Sequence, residues 1–184
     1  MDTLQDLYED GVKDAYSAEK QLLKAMPKLM KAARTPSLKS AIETHIAQTK
    51  TQIERLEEVA RLGGFKPGGI LCKAAHGLVE ECEEHLEEGE PGVVFDAQIV
   101  ALAQKNEHYE IATYGTIIEW AKLLGHADAA ALLKQNLAEE EATDKLLSGV
   151  AKTDVNKAAR AFVEDSEPKK APAKRAPAKA PAKS

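Results

Sequence analysis

Apolar residues in the first part of the chain recur with the period of a helix. Across residues 2–34, Val12, Tyr16, Glu19, Leu23, Met26 and Met30 follow at steps of 4-3-4-3-4 and therefore share one face. Pro27 lies inside this pattern; because the periodicity continues beyond it, a kink rather than an end is predicted. TPSLKSA restarts a helix, with Thr35 as N-cap and Pro36 in the first helical position, and that helix runs to the stop pair Gly63-Gly64. FKPGG leads into a shorter helix near residues 70–88, and GEPG interrupts at 89–92. Long helices are predicted over about 93–124 and 127–149, the first closed by Gly125, and a short amphipathic piece, DVNKAARAFV, follows. The alternation that strands need is missing. The fold class is all-α: four long helices paired by short turns, with a long crossover carrying a small helix, as in an antiparallel four-helix bundle.

The pattern also repeats. Adding 91 to the first seam gives Ala103, Glu107, Glu110, Tyr114, Ile117 and Ala121, so Glu19 maps on Glu110. The same offset carries Ile42, Ile46, Leu56 and Val59 onto Leu133, Leu137, Leu147 and Val150, and sets HIAQT (45–49) opposite NLAEE (136–140). Each half thus has a helix with an inward Glu, then a helix with polar groups at the matching level.

Composition adds two points. Hydrophobic residues make up 43% and aromatics only 4% of 184 residues, a helix-forming Ala/Leu/Glu/Lys composition sized for one domain. Charge is uneven: residues 167–184 hold six Lys/Arg and one Glu, a net of +5, so the rest of the chain carries −10 of the total −5. SEPKKAPAKRAPAKAPAKS has no large apolar residue and repeats P-A-K, which predicts a disordered basic tail over 165–184 after a helical bundle over 1–164. No apolar run has the length of a membrane span, and MDTLQDLYEDG lacks the form of a signal peptide, so a soluble cytoplasmic protein is expected. Cys72 and Cys82, without CxxC spacing, are expected as reduced structural thiols.

The chemistry concentrates in QKNEHYEIATYGT, where Glu107, His108 and Glu110 interrupt an otherwise buried helix. A buried carboxylate without a partner costs several kcal/mol, so these groups face water or surround a cation. Carboxylates converging from facing helices describe the di-metal sites of ferritin-like proteins, where carboxylate and imidazole suit iron or manganese. Glu19 and Glu110 would be terminal ligands, with Glu140 or its neighbour Glu139 bridging. On the second helix Gln48 stands at the carboxylate position and His45 one turn earlier; His45 is either a ligand or a hydrogen-bonded core histidine. Glu107 is either a third inner carboxylate or a rim residue, and Asp144 lies one turn beyond Glu140. Tyr16, Tyr109 and Tyr114 read as core residues whose hydroxyls can orient a carboxylate, while His76, His85 and His108 read as surface residues, His108 with a place beside the ligands as its alternative.

At YSAEKQLLKAMPKL, HIAQTKTQIERLEEV, QKNEHYEIATYGT and EEEATDKL the sequence closely resembles the YciE/YciF family of ferritin-like proteins, over roughly residues 3–150. The resemblance implies a ferritin-like bundle, dimeric, associated with bacterial stress responses and labelled a ferroxidase by analogy. The usual ferritin E-x-x-H pairs are absent: Glu140 is followed by Thr143 and Gln48 by Thr51, and Gln48 stands where family members often carry Glu.

Three functions follow as expectations. The first is a ferritin-like di-iron (or manganese) protein that oxidises Fe2+ with O2 or peroxide, its metal residues drawn from Glu19, His45, Gln48, Glu107, Glu110, Glu140 and Asp144. The second is a non-enzymatic helical stress protein whose inner carboxylates form a polar network that fixes helix register. The third concerns the tail, where Lys169, Lys170, Lys174, Arg175, Lys179 and Lys183 would hold DNA through its phosphates without reading sequence.

Overall fold

The computed structural model describes residues 2–166; of the tail expected over 165–184, residues 165 and 166 are helical and 167–184 lie outside the described residues. Four long helices form the body: α1 (Leu4–Ala32), α2 (Pro36–Gly63), α4 (Val93–Leu123) and α5 (Ala127–Val150). At 1.5 Å per residue they span about 36–47 Å. The shorter α3 (Lys73–Glu88) carries the crossover, and α6 (Asn156–Ser166) continues α5 through a π-helical turn at Ala151–Val155. Among the described residues there is no strand.

Helix ends follow local chemistry. Thr3 caps α1 in a reciprocal box: the Asp6 N–H donates to Thr3 Oγ1 at 3.1 Å, and the Thr3 N–H to Asp6 Oδ2 at 3.0 Å. The helix passes Pro27 and continues to Ala32. Thr35 stands at the N-cap of α2 with Pro36 behind it, but its hydroxyl does not cap that helix. Instead the turn is pinned from α4: Asp96 accepts from the Arg34 N–H (2.8 Å), the Thr35 N–H (2.6 Å) and the Thr35 hydroxyl (2.5 Å). Gly64 takes the left-handed conformation (φ 75°) that ends α2.

α1 packs on α2 and α4, and α5 completes the ring against both α4 and α2. Two apolar cores define its polarity. One joins Leu22, Met26 and Leu29 of α1 to Leu38 and Ile42 of α2, Phe95 and Ile99 of α4, and Leu147 of α5. The other joins Tyr8 and Val12, Leu56 and Val59, Tyr114 and Ile117, and Leu133. The C-terminal half of α1 therefore meets the N-terminal half of α4, so these two run antiparallel, as do α2 and α5. The stripe buried on α1 is broader than the seam that spacing picks out. Ala15, Ala18, Leu22 and Leu29 are buried, whereas Tyr16, Leu23 and Met30 are half-buried at its edge. Small residues let neighbouring helices close in. A Cβ on Gly11 would stand 2.7 Å from Ile117 Cγ2, so only glycine fits that crossing of α1 and α4.

α3 lies outside the ring, against α1 and α4. Its N-cap is Cys72, whose N–H donates to Ser17 Oγ (2.9 Å) and whose Sγ sits 3.2 Å from Asp14 and 2.9 Å from the Tyr109 hydroxyl. Both cysteines are buried free thiols, and burial pushes Cys82 up to about 11. Among the described residues no helix is long and apolar enough to cross a membrane.

Candidate metal centre

Between the two apolar cores lies one polar level, to which all four long helices contribute. Each contribution follows from helical spacing. On α1 Glu19 lies one turn beyond Ala15 and one before Leu22, so the core stripe carries it inward to 1% exposure. On α2 His45, Thr49 and Gln52 continue the stripe of Leu38 and Ile42 and are buried. On α4 Glu107, Glu110 and Tyr114 do the same, and on α5 Asn136, Glu140 and Thr143 follow Leu133.

Donor atoms of His45, Glu107, Glu110 and Glu140, one from each residue, lie within 4.8 Å of one another. His45 Nε2 is 3.3 Å from Glu107 Oε1 and 3.7 Å from Glu140 Oε2. Glu19 borders this set, its carboxyl group against that of Glu110. The protein's own donors hold one side of the cluster. The Tyr114 hydroxyl donates to Glu19 Oε1, and the Gln52 amide donates to Glu140 Oε1. Behind them Asn136 Nδ2 donates to the Tyr114 oxygen (3.0 Å), and Arg55 donates to Asn136 Oδ1 (2.9 Å) while gripping Glu139 at 2.8 and 2.9 Å. Thr143 Oγ1 stands 3.4 Å from His45 Nδ1.

The opposite oxygens have nothing comparable. Glu19 Oε2, Glu107 Oε2, Glu140 Oε2 and both oxygens of Glu110 are buried without an N–H or hydroxyl donor. Each such group costs free energy unless something cationic or a proton meets it. Burial and mutual repulsion decide the charge of these groups. Burial, then the charge of Glu140, raises Glu107 to about 11; burial and neighbouring carboxylates drive Glu19 and Glu110 well above the usual carboxylate range. Burial also raises Glu140, but hydrogen bonds from Glu107 and Gln52 oppose it, leaving it near 7. Burial lowers His45 to about 4, so its imidazole is neutral. Burial and mutual repulsion thus favour the protonated forms of Glu19, Glu107 and Glu110, and a cation's charge would oppose that preference.

The donor set fits a metal. Three carboxylates and a neutral imidazole are hard-to-borderline ligands of the kind that iron, manganese or zinc takes, and unpartnered oxygens turned to a common point are what an ion would satisfy. Of the residues that the sequence singles out, the structure gathers Glu19, His45, Glu107, Glu110 and Glu140 here. Gln48 and Asp144 stand at the edge of this level, Gln48 beside His45 and Asp144 within electrostatic reach of Glu107. Gln48 is half-buried, its Oε1 3.4 Å from Thr143 Oγ1, and Asp144 accepts from Gln104 at 2.9 Å with His108 3.5 Å away. Glu139 turns outward to Arg55, leaving Glu140 as the inward member of EEE. The hydrogen-bonded support of Asn136 and Arg55 goes beyond what the sequence reading named. The 4-3 spacing of Leu133, Asn136, Glu140 and Thr143 marks Asn136 as inward, but nothing in the sequence announces the partner of Arg55.

This fold and this level define a ferritin-like four-helix bundle with a buried carboxylate–imidazole cluster that could hold a metal ion. The chain belongs to the family described as a domain of unknown function, DUF892, whose model matches residues 3–160. It is 44% identical over 160 residues to protein YciF of Escherichia coli (strain K12), across 86% of this chain and 96% of that one. The crystal structure of the E. coli stress protein YciF superposes with a TM-score of 0.81, covering 85% of this chain and 99% of that one. YcfI from Rhodopseudomonas palustris gives 0.78 at 44% identity, covering 80% and 94%. A Xanthomonas campestris protein shares the fold alone, with a TM-score of 0.71 at 19% identity over 90% and 99%.

Proposed function

We propose that this chain is a cytoplasmic metal-binding oxidase of the stress response, taking iron or manganese at the bundle centre and oxidising Fe2+ with O2 or peroxide. The observation that carries the reading is the convergence of His45, Glu107, Glu110 and Glu140 within 4.8 Å, with buried carboxylate oxygens left unpartnered. His45, Glu107, Glu110 and Glu140 would hold the metal, with Glu19 available beside them. Bound iron supplies the redox chemistry.

The chain's own residues do the rest. Gln52 and Tyr114 each fix one oxygen of a carboxylate and leave the other turned inward. Thr143 stands behind the imidazole, at a distance where it can set the ring's tautomer. Loading displaces the protons of Glu19, Glu107 and Glu110, so binding tightens as pH rises. The apolar cores on both sides exclude water and keep the carboxylates poorly solvated, which strengthens their attraction for a cation.

The test is metal content by elemental analysis after anaerobic Fe2+ loading, for the wild type beside Glu107→Gln/Glu140→Gln. Near-stoichiometric metal, lost in the variant, and oxidation on aeration support the reading. A wild type that takes up no metal refutes it and favours a polar network that fixes helix register.

A further inference from the structure

On the Leu29 side of the carboxylate level the bundle is not filled. A cavity of about 30 Å3 lies there. His45, Asn106, Glu107, Glu110 and Thr143 bring polar groups to one end, while Leu22, Met26, Leu29, Ile42 and Leu147 make the rest of the wall aliphatic. Glu110, whose two oxygens have no donor, is among the lining residues. The space exists because Ala25, Ala41 and Ala103 stand where larger residues would close it. Val79 and Cys82 of α3 lie across it, and Val79 and Ala103, half-buried, mark its side toward the surface. The crossover helix therefore roofs a hole in the bundle that ends on the carboxylates.

Size and polarity select the occupant. A water-sized molecule needs at least about 10–15 Å3, whereas an engineered benzene-binding cavity is about 150 Å3, so an organic substrate is too large. Water needs two to four polar partners to settle; it could find them only at the carboxylate end, and the aliphatic wall that makes up most of the cavity gives none. A cation or a hydrated anion entering across that wall would lose its solvation without replacement. A small uncharged apolar molecule meets neither obstacle. We propose that this cavity is a gas site that binds dioxygen and delivers it to the carboxylate–imidazole centre from the α3 side. The role of dioxygen as the oxidant rests on the proposed function; the cavity's affinity for an apolar gas does not.

Xenon, a dry-cavity probe of comparable size, separates the two. Crystals of the full chain under xenon pressure are expected to show one atom between Leu29 and Glu110, and Ala25→Leu is expected to remove it. In solution the same variant should take up wild-type amounts of Fe2+ anaerobically and oxidise it with dioxygen at least tenfold more slowly. Val79→Phe, at a half-buried position that tolerates bulk, is expected to give the same pattern and serves if Ala25→Leu fails to fold. An empty cavity under xenon overturns the inference whatever the metal content, as does a full oxidation rate in a variant that excludes xenon. Xenon uptake by a protein that binds no metal would refute the proposed function while supporting the gas site.

Discussion

The two halves of the bundle, α1–α2 and α4–α5, share a register and differ in charge. On α2 and α5 the offset of 91 pairs buried with buried along the main seam: Leu38 with Ala129, Ile42 with Leu133, Leu56 with Leu147, Val59 with Val150. The polar level obeys the same rule, with His45 opposite Asn136, Thr49 opposite Glu140, and Gln52 opposite Thr143. On α1 and α4, Glu19 and Glu110 match, but the counterpart of Glu107 is Tyr16, which leaves the core edge to donate to Glu57 at 2.8 Å. The second half thus brings three carboxylates to the centre. The first brings one carboxylate, an imidazole and neutral groups. Packing constrains shape at every buried position, and chemistry constrains only the total charge of the level, so a duplicated scaffold can divide its ligands unequally.

That asymmetry can be tested from both sides. The largest effect is expected for Glu107→Gln/Glu140→Gln, which removes two second-half carboxyl groups. Metal affinity should fall by at least about 100-fold by calorimetric titration, while the metal-free melting temperature rises by a few degrees, since each ~1 kcal/mol is worth about 2–4 °C at this size. Glu19→Gln, which removes the one carboxyl group that the first half brings to the level, should weaken binding less.

A second expectation concerns pH. Glu107, Glu19 and Glu110 have folded-state pKa values raised above the unfolded value, so the fold favours their protonated forms, and stability falls as pH climbs from about 4.5 upward. Glu140 adds its share between about 4.5 and its folded value near 7. His45 has the opposite sign: lowered to about 4, it costs stability as pH falls below about 6.5. With one histidine against four carboxyls, the metal-free protein should melt at a lower temperature at pH 8 than at pH 6 in thermal scans, and the double Gln variant should flatten that slope.

Thr49→Glu would restore the missing counterpart of Glu140. It should lower the metal-free melting temperature, because another buried carboxyl is added, and raise metal affinity by roughly tenfold. A variant that gains no affinity would show that the level is already fully charged. A loss smaller than that of the double variant is expected for Gln52→Leu, which strips the donor from Glu140 Oε1; support of this kind is worth about 10–100-fold in affinity. Deleting residues 165–184 should leave all of these values unchanged while abolishing the DNA mobility shift at low salt that we propose for the basic tail.

Much of this was legible in the sequence. Pro36, Gly63-Gly64 and Gly125 mark where helices start and stop, and the 91-residue repeat brings Glu19 and Glu110 to one level without any coordinates. Gln48 and Asp144, which border the polar level rather than sit at its centre, show where the sequence loses resolution. Each is one residue from an inward position, Thr49 and Thr143 respectively, and one residue turns a helix by about 100°. Polar residues on both sides of the seam left no hydrophobic contrast to choose between them. The cavity was less visible still: three alanines at separate places in the chain reveal a void only once the helices carrying them are packed.

Asp96 has a consequence for the order of events at the ribosome. The turn between α1 and α2 leaves the tunnel about sixty residues before the carboxylate that receives its backbone donors, and those donors meet that partner only when α4 docks. The first hairpin, though it could zip early from local contacts, cannot finish its own corner. Its completion waits on its duplicate, so the two repeats mature as one cooperative unit rather than as a domain followed by its copy.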